Sequence, residues 1–110
     1  MKVHTALGPG LLESAYFACL LYELRQSGLR AETEVKVPVA YGSVTLECGF
    51  RIDILVEEQI VVELKCVEHV LLVHEAQLLT YLKLANLRVG LLLNFNVPHL
   101  RDGGIKRLVR

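Results

Sequence analysis

Asp53, Glu63 and Lys65 are charged residues set inside runs that otherwise read as core. Glu63 interrupts the apolar stretch Ile60-Val61-Val62-Glu63-Leu64, and Lys65 follows two places later. In a strand that spacing sends Glu63 and Lys65 to one face and Leu64 to the other. An ionised carboxylate at a core position is costly unless it is paired or bound to a metal. If the strands holding Asp53 and Glu63 are hairpin partners, their carboxylates meet near the open end of the turn. Like charges so close repel, and a divalent cation relieves the repulsion. A neighbouring lysine can orient or activate a water, or stabilise negative charge as it develops. The same residues also read as two ion pairs, Glu63 with Lys65 and Asp53 with Arg51. Spacing alone leaves both readings open.

Further polar residues could join them. Glu13 stands in the first turn of a predicted helix, where the helix dipole favours a carboxylate, and a surface glutamate explains it equally well. Gln77 and Tyr81 are i,i+4 neighbours on a second predicted helix, with His74 one turn earlier. A tyrosine packed on the core beside a glutamine is the plainer account of that pair. Cys66, His69 and His74 match no common structural zinc spacing. His4, His69 and His99 show no partners in the pattern and receive no role.

The elements that must hold these residues follow from periodicity. Leu11 to Ser27 has helical spacing, with Gly28 as a C-cap, and His4 and Leu7 fit a preceding helix. From Leu29 the period becomes two, giving a strand with one wet face through Val37. Beyond the turn Tyr41-Gly42-Ser43, alternation from Val44 to Val56 predicts one long strand, with Gly49 marking a bulge or bend. Glu57-Glu58-Gln59 makes a short turn into Ile60–Cys66, a strand covered on both faces. A second helix spans Val73 to Asn86, a buried strand runs from Arg88 to Phe95, and Gly104 to Val109 forms a short edge strand. The first three strands make an antiparallel meander. The helix between the third and fourth strands is a crossover, which makes those two parallel. The expected fold class is α/β (α+β): a small mixed β-sheet flanked by helices.

The chain has 110 residues, 53% hydrophobic and 22% charged, which suits a single domain over 1–110 with a real core and excludes disorder. The apolar run Val89 to Leu93 is too short to span a bilayer, and no secretory leader opens the chain. Cys19, Cys48 and Cys66 are odd in number and lie in apolar runs, which suits free thiols in a reducing cytoplasm. A cytoplasmic location with no membrane partner is therefore expected. Net charge is zero, against a general nucleic-acid coat protein. It is unevenly spread: residues 88–110 carry five Arg or Lys against one Asp, a net +4, leaving −4 on residues 1–87. A basic end of this kind can touch phosphate or simply be solvated.

Gly10-Leu11-Leu12-Glu13-Ser14-Ala15-Tyr16 is a full G-x-x-E-x-x-Y signature. With His4…Leu7-Gly8-Pro9-Gly10, Phe50-Arg51-Ile52-Asp53, Val62-Glu63-Leu64-Lys65, His74–Leu82, Gly90–Phe95 and Gly104–Arg107, in that order, the chain resembles the GxxExxY proteins of the PD-(D/E)XK nuclease superfamily. The resemblance covers essentially the whole chain. It implies a restriction-endonuclease-like αβββαβ core, the element order already read from periodicity. It also implies roles: Asp53 and Glu63 as metal ligands, Lys65 as the catalytic lysine beside them, and Glu13 as a helix carboxylate joining the metal shell. The Leu64 carbonyl would be a further oxygen ligand, and Gln77 and Tyr81 would line the nucleic-acid side. The hard-oxygen set favours Mg²⁺ or Mn²⁺ over zinc. The implied activity is metal-dependent hydrolysis of phosphodiester bonds, in DNA before RNA, with a homodimer as a common form for so small a nuclease. The alternative is a non-catalytic nucleic-acid- or protein-binding module that retains the fold. Relatives usually carry more helix before the His4 stretch.

Overall fold

The run Val61-Val62-Glu63-Leu64 becomes the middle of a sheet because both of its faces are covered. In the computed structural model, which describes residues 2–8, 10, 12–46, 50–97, 100 and 103–110, the elements follow in chain order. They are α1 (Lys2–Leu7), α2 (Glu13–Gln26), β1 (Ala31–Lys36), β2 (Val39–Tyr41), β3 (Val44–Leu46), β4 (Arg51–Val56), β5 (Ile60–Lys65), α3 (Leu72–Leu84), β6 (Val89–Asn94) and β7 (Ile105–Val109). Five strands form one mixed sheet in the order β1-β4-β5-β6-β7, and β2-β3 stand apart as a hairpin. Only β5 and β6 are parallel, joined through α3 as the crossover expectation requires. The fold is α+β.

One side of the sheet carries Ile54, Val56, Val62, Leu64 and Leu93, packed with Tyr16 and Leu20 of α2 and with Phe95. On the other side Val61 and Leu92 pack against Leu78, Tyr81 and Leu82 of α3. Each fully buried Leu or Ile is worth roughly 2 kcal/mol of transfer free energy, so alternation along β5 divides its stabilisation between two helical layers.

The two longer helices, α2 and α3, stop by the same device. Gly28 at φ 83° ends α2, with the Leu29 amide bonded to the Leu24 carbonyl and the Gly28 amide to that of Arg25. Asn86 at φ 56° ends α3 with the matching pair, Leu87 to Leu82 and Asn86 to Lys83.

The single strand expected from Val44 to Val56 is two strands in two sheets. Pro38, which has no N–H to offer a ladder, ends the β1 run, and the chain turns out through β2. The tight turn at Gly42-Ser43, with Gly42 at φ 61°, then pairs Val44 with Tyr41 and Leu46 with Val39. Val44 and Leu46 are consequently exposed. A period of two specifies a strand but not the sheet it joins. The bulge expected at Gly49, and Cys48 beside it, lie outside the described residues.

The β1–β4 ribbon changes helical layers as it passes Glu34. Ala31 and Ile54 belong to the α2 side, whereas Val37 and Ile52, of the same parity along their strands, pack on the α3 side. Glu34 has φ 50°, a left-handed kink in the edge strand at the point opposite Asp53. Among the described residues no helix is long and apolar enough to cross a membrane.

Candidate functional site

The β4–β5 ladder pairs Val56 with Ile60, Leu55 with Val61 and Ile54 with Val62, and goes no further. The next residues on each strand are Asp53 and Glu63. Their side chains take over where the backbone ladder ends. The Asp53 amide donates to Glu63 Oε1 at 3.1 Å, and the Leu64 amide donates to Asp53 Oδ2 at 2.9 Å. Each carboxylate thus accepts a hydrogen bond from the opposite strand, and the two acidic groups are crossed at the mouth of a fork.

Glu63 is only 7% exposed. Burial first, and then the Asp53 charge, push its carboxyl up from 4.5 to about 8, while Lys65 pulls it the other way. The ion pair of Asp53 with Arg51 does not form: Arg51 Nη1 faces Glu34 Oε2 at 3.7 Å. Among the described residues Glu63 and Lys65 share no ion pair within 4 Å. Lys65 nevertheless lies close enough for its charge to act on both Glu63 and Glu13.

Glu13 arrives from α2. Its carboxyl is raised by partial desolvation and then by Asp53, with Lys65 opposing, although its side chain is exposed. Its neighbours in the G-x-x-E-x-x-Y motif explain its position. Tyr16 is fully buried, stacks on Phe95 with ring centroids 4.5 Å apart, and donates its hydroxyl proton to the Gly8 carbonyl. The tyrosine therefore locks the start of α2 onto the core, one turn from Glu13.

From α3, Tyr81 reaches the same region. It is 6% exposed, its hydroxyl accepts from Gln77 Nε2 at 3.1 Å, and burial followed by the Glu63 charge raises its pKa. Phe50 meets its ring edge-on at 5.9 Å. His74 is occupied elsewhere, since its Nδ1 accepts the Leu71 amide at 3.0 Å and caps the helix start. Cys66 is partly buried, and its thiol is raised by burial and then by Glu13.

Asn94 is a participant the sequence reading passed over. It is 3% exposed, and in the parallel register it stands beside Lys65. Its Oδ1 accepts from the Val67 amide at 3.1 Å and its Nδ2 donates to the Val67 carbonyl at 2.9 Å. The Phe95 amide completes the clamp on the Lys65 carbonyl at 2.9 Å. A lone asparagine closing the apolar run Gly90–Phe95 was its signal, on the same reasoning that singled out Glu63.

Asp53, Glu63, Glu13 and the Leu64 backbone are hard-oxygen donors, the kind Mg²⁺ and Mn²⁺ prefer. Among the described residues no three His, Cys, Asp or Glu side chains are already closed around one point.

Fold and site together define a mixed-sheet α+β protein whose acidic pair and lysine sit where a central hairpin opens. The family model for the PD-(D/E)XK nuclease superfamily matches residues 1–108. The chain belongs to that superfamily. No curated protein and no solved structure matches it.

Proposed function

We propose that this chain, as a single domain of GxxExxY type, is a Mg²⁺- or Mn²⁺-dependent nuclease that hydrolyses phosphodiester bonds of nucleic acid, DNA before RNA. The observation that carries the proposal is the crossed Asp53–Glu63 pair beside Lys65. Asp53, Glu63, Glu13 and the Leu64 carbonyl would hold the cation. A bound divalent ion would offset their mutual repulsion, lower the pKa of a bound water and polarise the phosphate.

The chain's own groups do the rest. Lys65 projects from the same strand face as Glu63, where its ammonium orients the attacking water and meets negative charge on the phosphoryl oxygens. Water oxygen bonds to phosphorus and gives up one proton to solvent, the bond to one bridging oxygen breaks, and that oxygen takes a proton from solvent as it leaves. Gln77 and Tyr81 present an amide and a hydroxyl to the nucleic acid from α3. A homodimer would offer two such sites to a duplex.

A second reading, a non-catalytic binding module, draws on the fact that both carboxylates already accept hydrogen bonds from backbone amides. Cleavage of supercoiled plasmid and labelled single strands, with Mg²⁺, Mn²⁺ or EDTA, separates the two. Cleavage that requires metal and vanishes in Glu63→Ala/Lys65→Ala supports the nuclease. Folded protein that cuts nothing under any of these conditions overturns it in favour of the module.

A further inference from the structure

At the far end of β5 from Lys65 lies a cavity of about 550 Å³, a size common for small-molecule sites. Five residue steps along β5 lead from Ile60 to Lys65, roughly 16 Å of strand, so this cavity is distinct from the acidic fork. Ile60, Leu87, Val89 and Val109 give it apolar walls, and Arg88 and Arg107 also line it. Among the described residues neither arginine makes an ion pair. The acidic residues of the adjacent turn are engaged elsewhere: Glu57 Oε2 and Glu58 Oε2 face Arg30 at 3.8 and 3.7 Å. Arg110 adds further positive charge at the rim, where its Nη2 donates to Asn86 Oδ1 at 2.9 Å and its amide to the Arg88 carbonyl at 2.8 Å.

Arginines without an ion pair among the described residues, beside an apolar wall, suit a ligand with an anionic end and a flat apolar body. Planar guanidinium groups present paired N–H donors that match phosphate oxygens. We propose that this cavity binds a nucleoside phosphate, with the phosphate on Arg88 and Arg107 and the nucleoside against Ile60, Val89 and Val109. The inference goes beyond the nuclease reading and does not depend on it. It also gives the +4 charge of residues 88–110 a task. A free mononucleotide and the terminal nucleotide of a strand share this chemistry.

Calorimetric titration at low salt with AMP, inorganic phosphate and a short 5′-phosphorylated oligonucleotide tests the proposal. AMP or the oligonucleotide should bind saturably, at least tenfold more tightly than inorganic phosphate, and Arg88→Ala/Arg107→Ala should weaken that binding at least tenfold. Binding of AMP points to a free nucleotide, and binding of the oligonucleotide alone points to a strand end. In wild-type protein, AMP should shift the NMR amide signals of Arg88, Val89, Arg107 and Val109 while leaving those of Asp53 and Leu64 in place. Glu63→Ala/Lys65→Ala should bind AMP as wild type does, which separates failure here from failure of the nuclease reading. Unchanged affinity in the arginine variant, no binding of either nucleotide probe, or inorganic phosphate binding equally well overturns the proposal.

Discussion

Glu63 holds a proton in the folded chain at pH values where an ordinary glutamate has lost it, because burial and Asp53 lift its carboxyl from 4.5 to about 8. Between those values the native state binds more protons than the unfolded state. Its contribution to stability is therefore complete below about pH 4.5 and is lost as pH rises toward 8. Glu63→Gln copies the protonated form and keeps an oxygen for the Asp53 amide. It should be more stable than wild type at pH 8, by on the order of 2 kcal/mol, with the gap closing toward pH 4.5; thermal melts across that range check this. If Mg²⁺ or Mn²⁺ replaces the proton, either ion should raise the wild-type Tm at pH 8 and have little effect on the Gln variant. Asn94 makes a second residue-scale prediction. Asn94→Ala removes both partners of the Val67 backbone in a buried setting and should cost about 2–3 kcal/mol in urea denaturation. It should also lower any cleavage beyond what the lost stability explains, since the clamp sets the exit of β5 after Lys65.

The elements act as spacers whose contacts set the site's dimensions. A Cβ added to Gly90 on β6 would stand 2.9 Å from Leu78 Cδ1 and 3.0 Å from its Cγ, inside the seat of α3 on the sheet. Gly90→Ala should cost about 1–3 kcal/mol by overpacking and shift the adjoining Gln77–Tyr81 pair. Combining it with Leu78→Ala should cost less than the two separate losses together, as a double-mutant cycle in urea will read. The β4–β5 turn holds Glu57 and Glu58 at φ 53° and 57°, with the Gln59 amide on the Val56 carbonyl. Glu58→Gly relieves one left-handed residue and should stabilise by about 0.5–1 kcal/mol. That short turn is also why the acidic fork was legible: a tight hairpin sets the register, and the register brings Asp53 opposite Glu63. Gly28 likewise announced the end of α2. The β2–β3 hairpin was not legible, because Val44, Leu46, Ile52 and Ile54 keep one alternation across a change of sheet. Nor was Tyr81's approach to Glu63, since the rotation of a helix against a sheet comes from packing such as Leu78 on Gly90.

Across the whole molecule, charge and apolar surface are separated. The acidic fork lies at one end of β5, the arginine-lined cavity at the other, and the hairpin stands apart with Tyr41, Val44 and Leu46 exposed. Because β2 and β3 pair only with each other, replacing these three by threonine should change stability by less than about 0.5 kcal/mol per site, as thermal melts will show. The Glu75–Lys106 pair at 3.7 Å joins α3 to β7 across the intervening strand β6, so the crossover helix is braced on the basic edge as well as on the core. The crossed hydrogen bonds at the fork have one more consequence. The amides of Asp53 and Leu64 are protected from solvent exchange by carboxylates rather than by carbonyls. Their exchange rates should depend on the occupancy and charge of those carboxylates, unlike those of ladder amides such as Ile54 or Val62. Two backbone protons thus serve as built-in gauges of whatever the carboxylates hold, readable without a substrate and before any reaction is known.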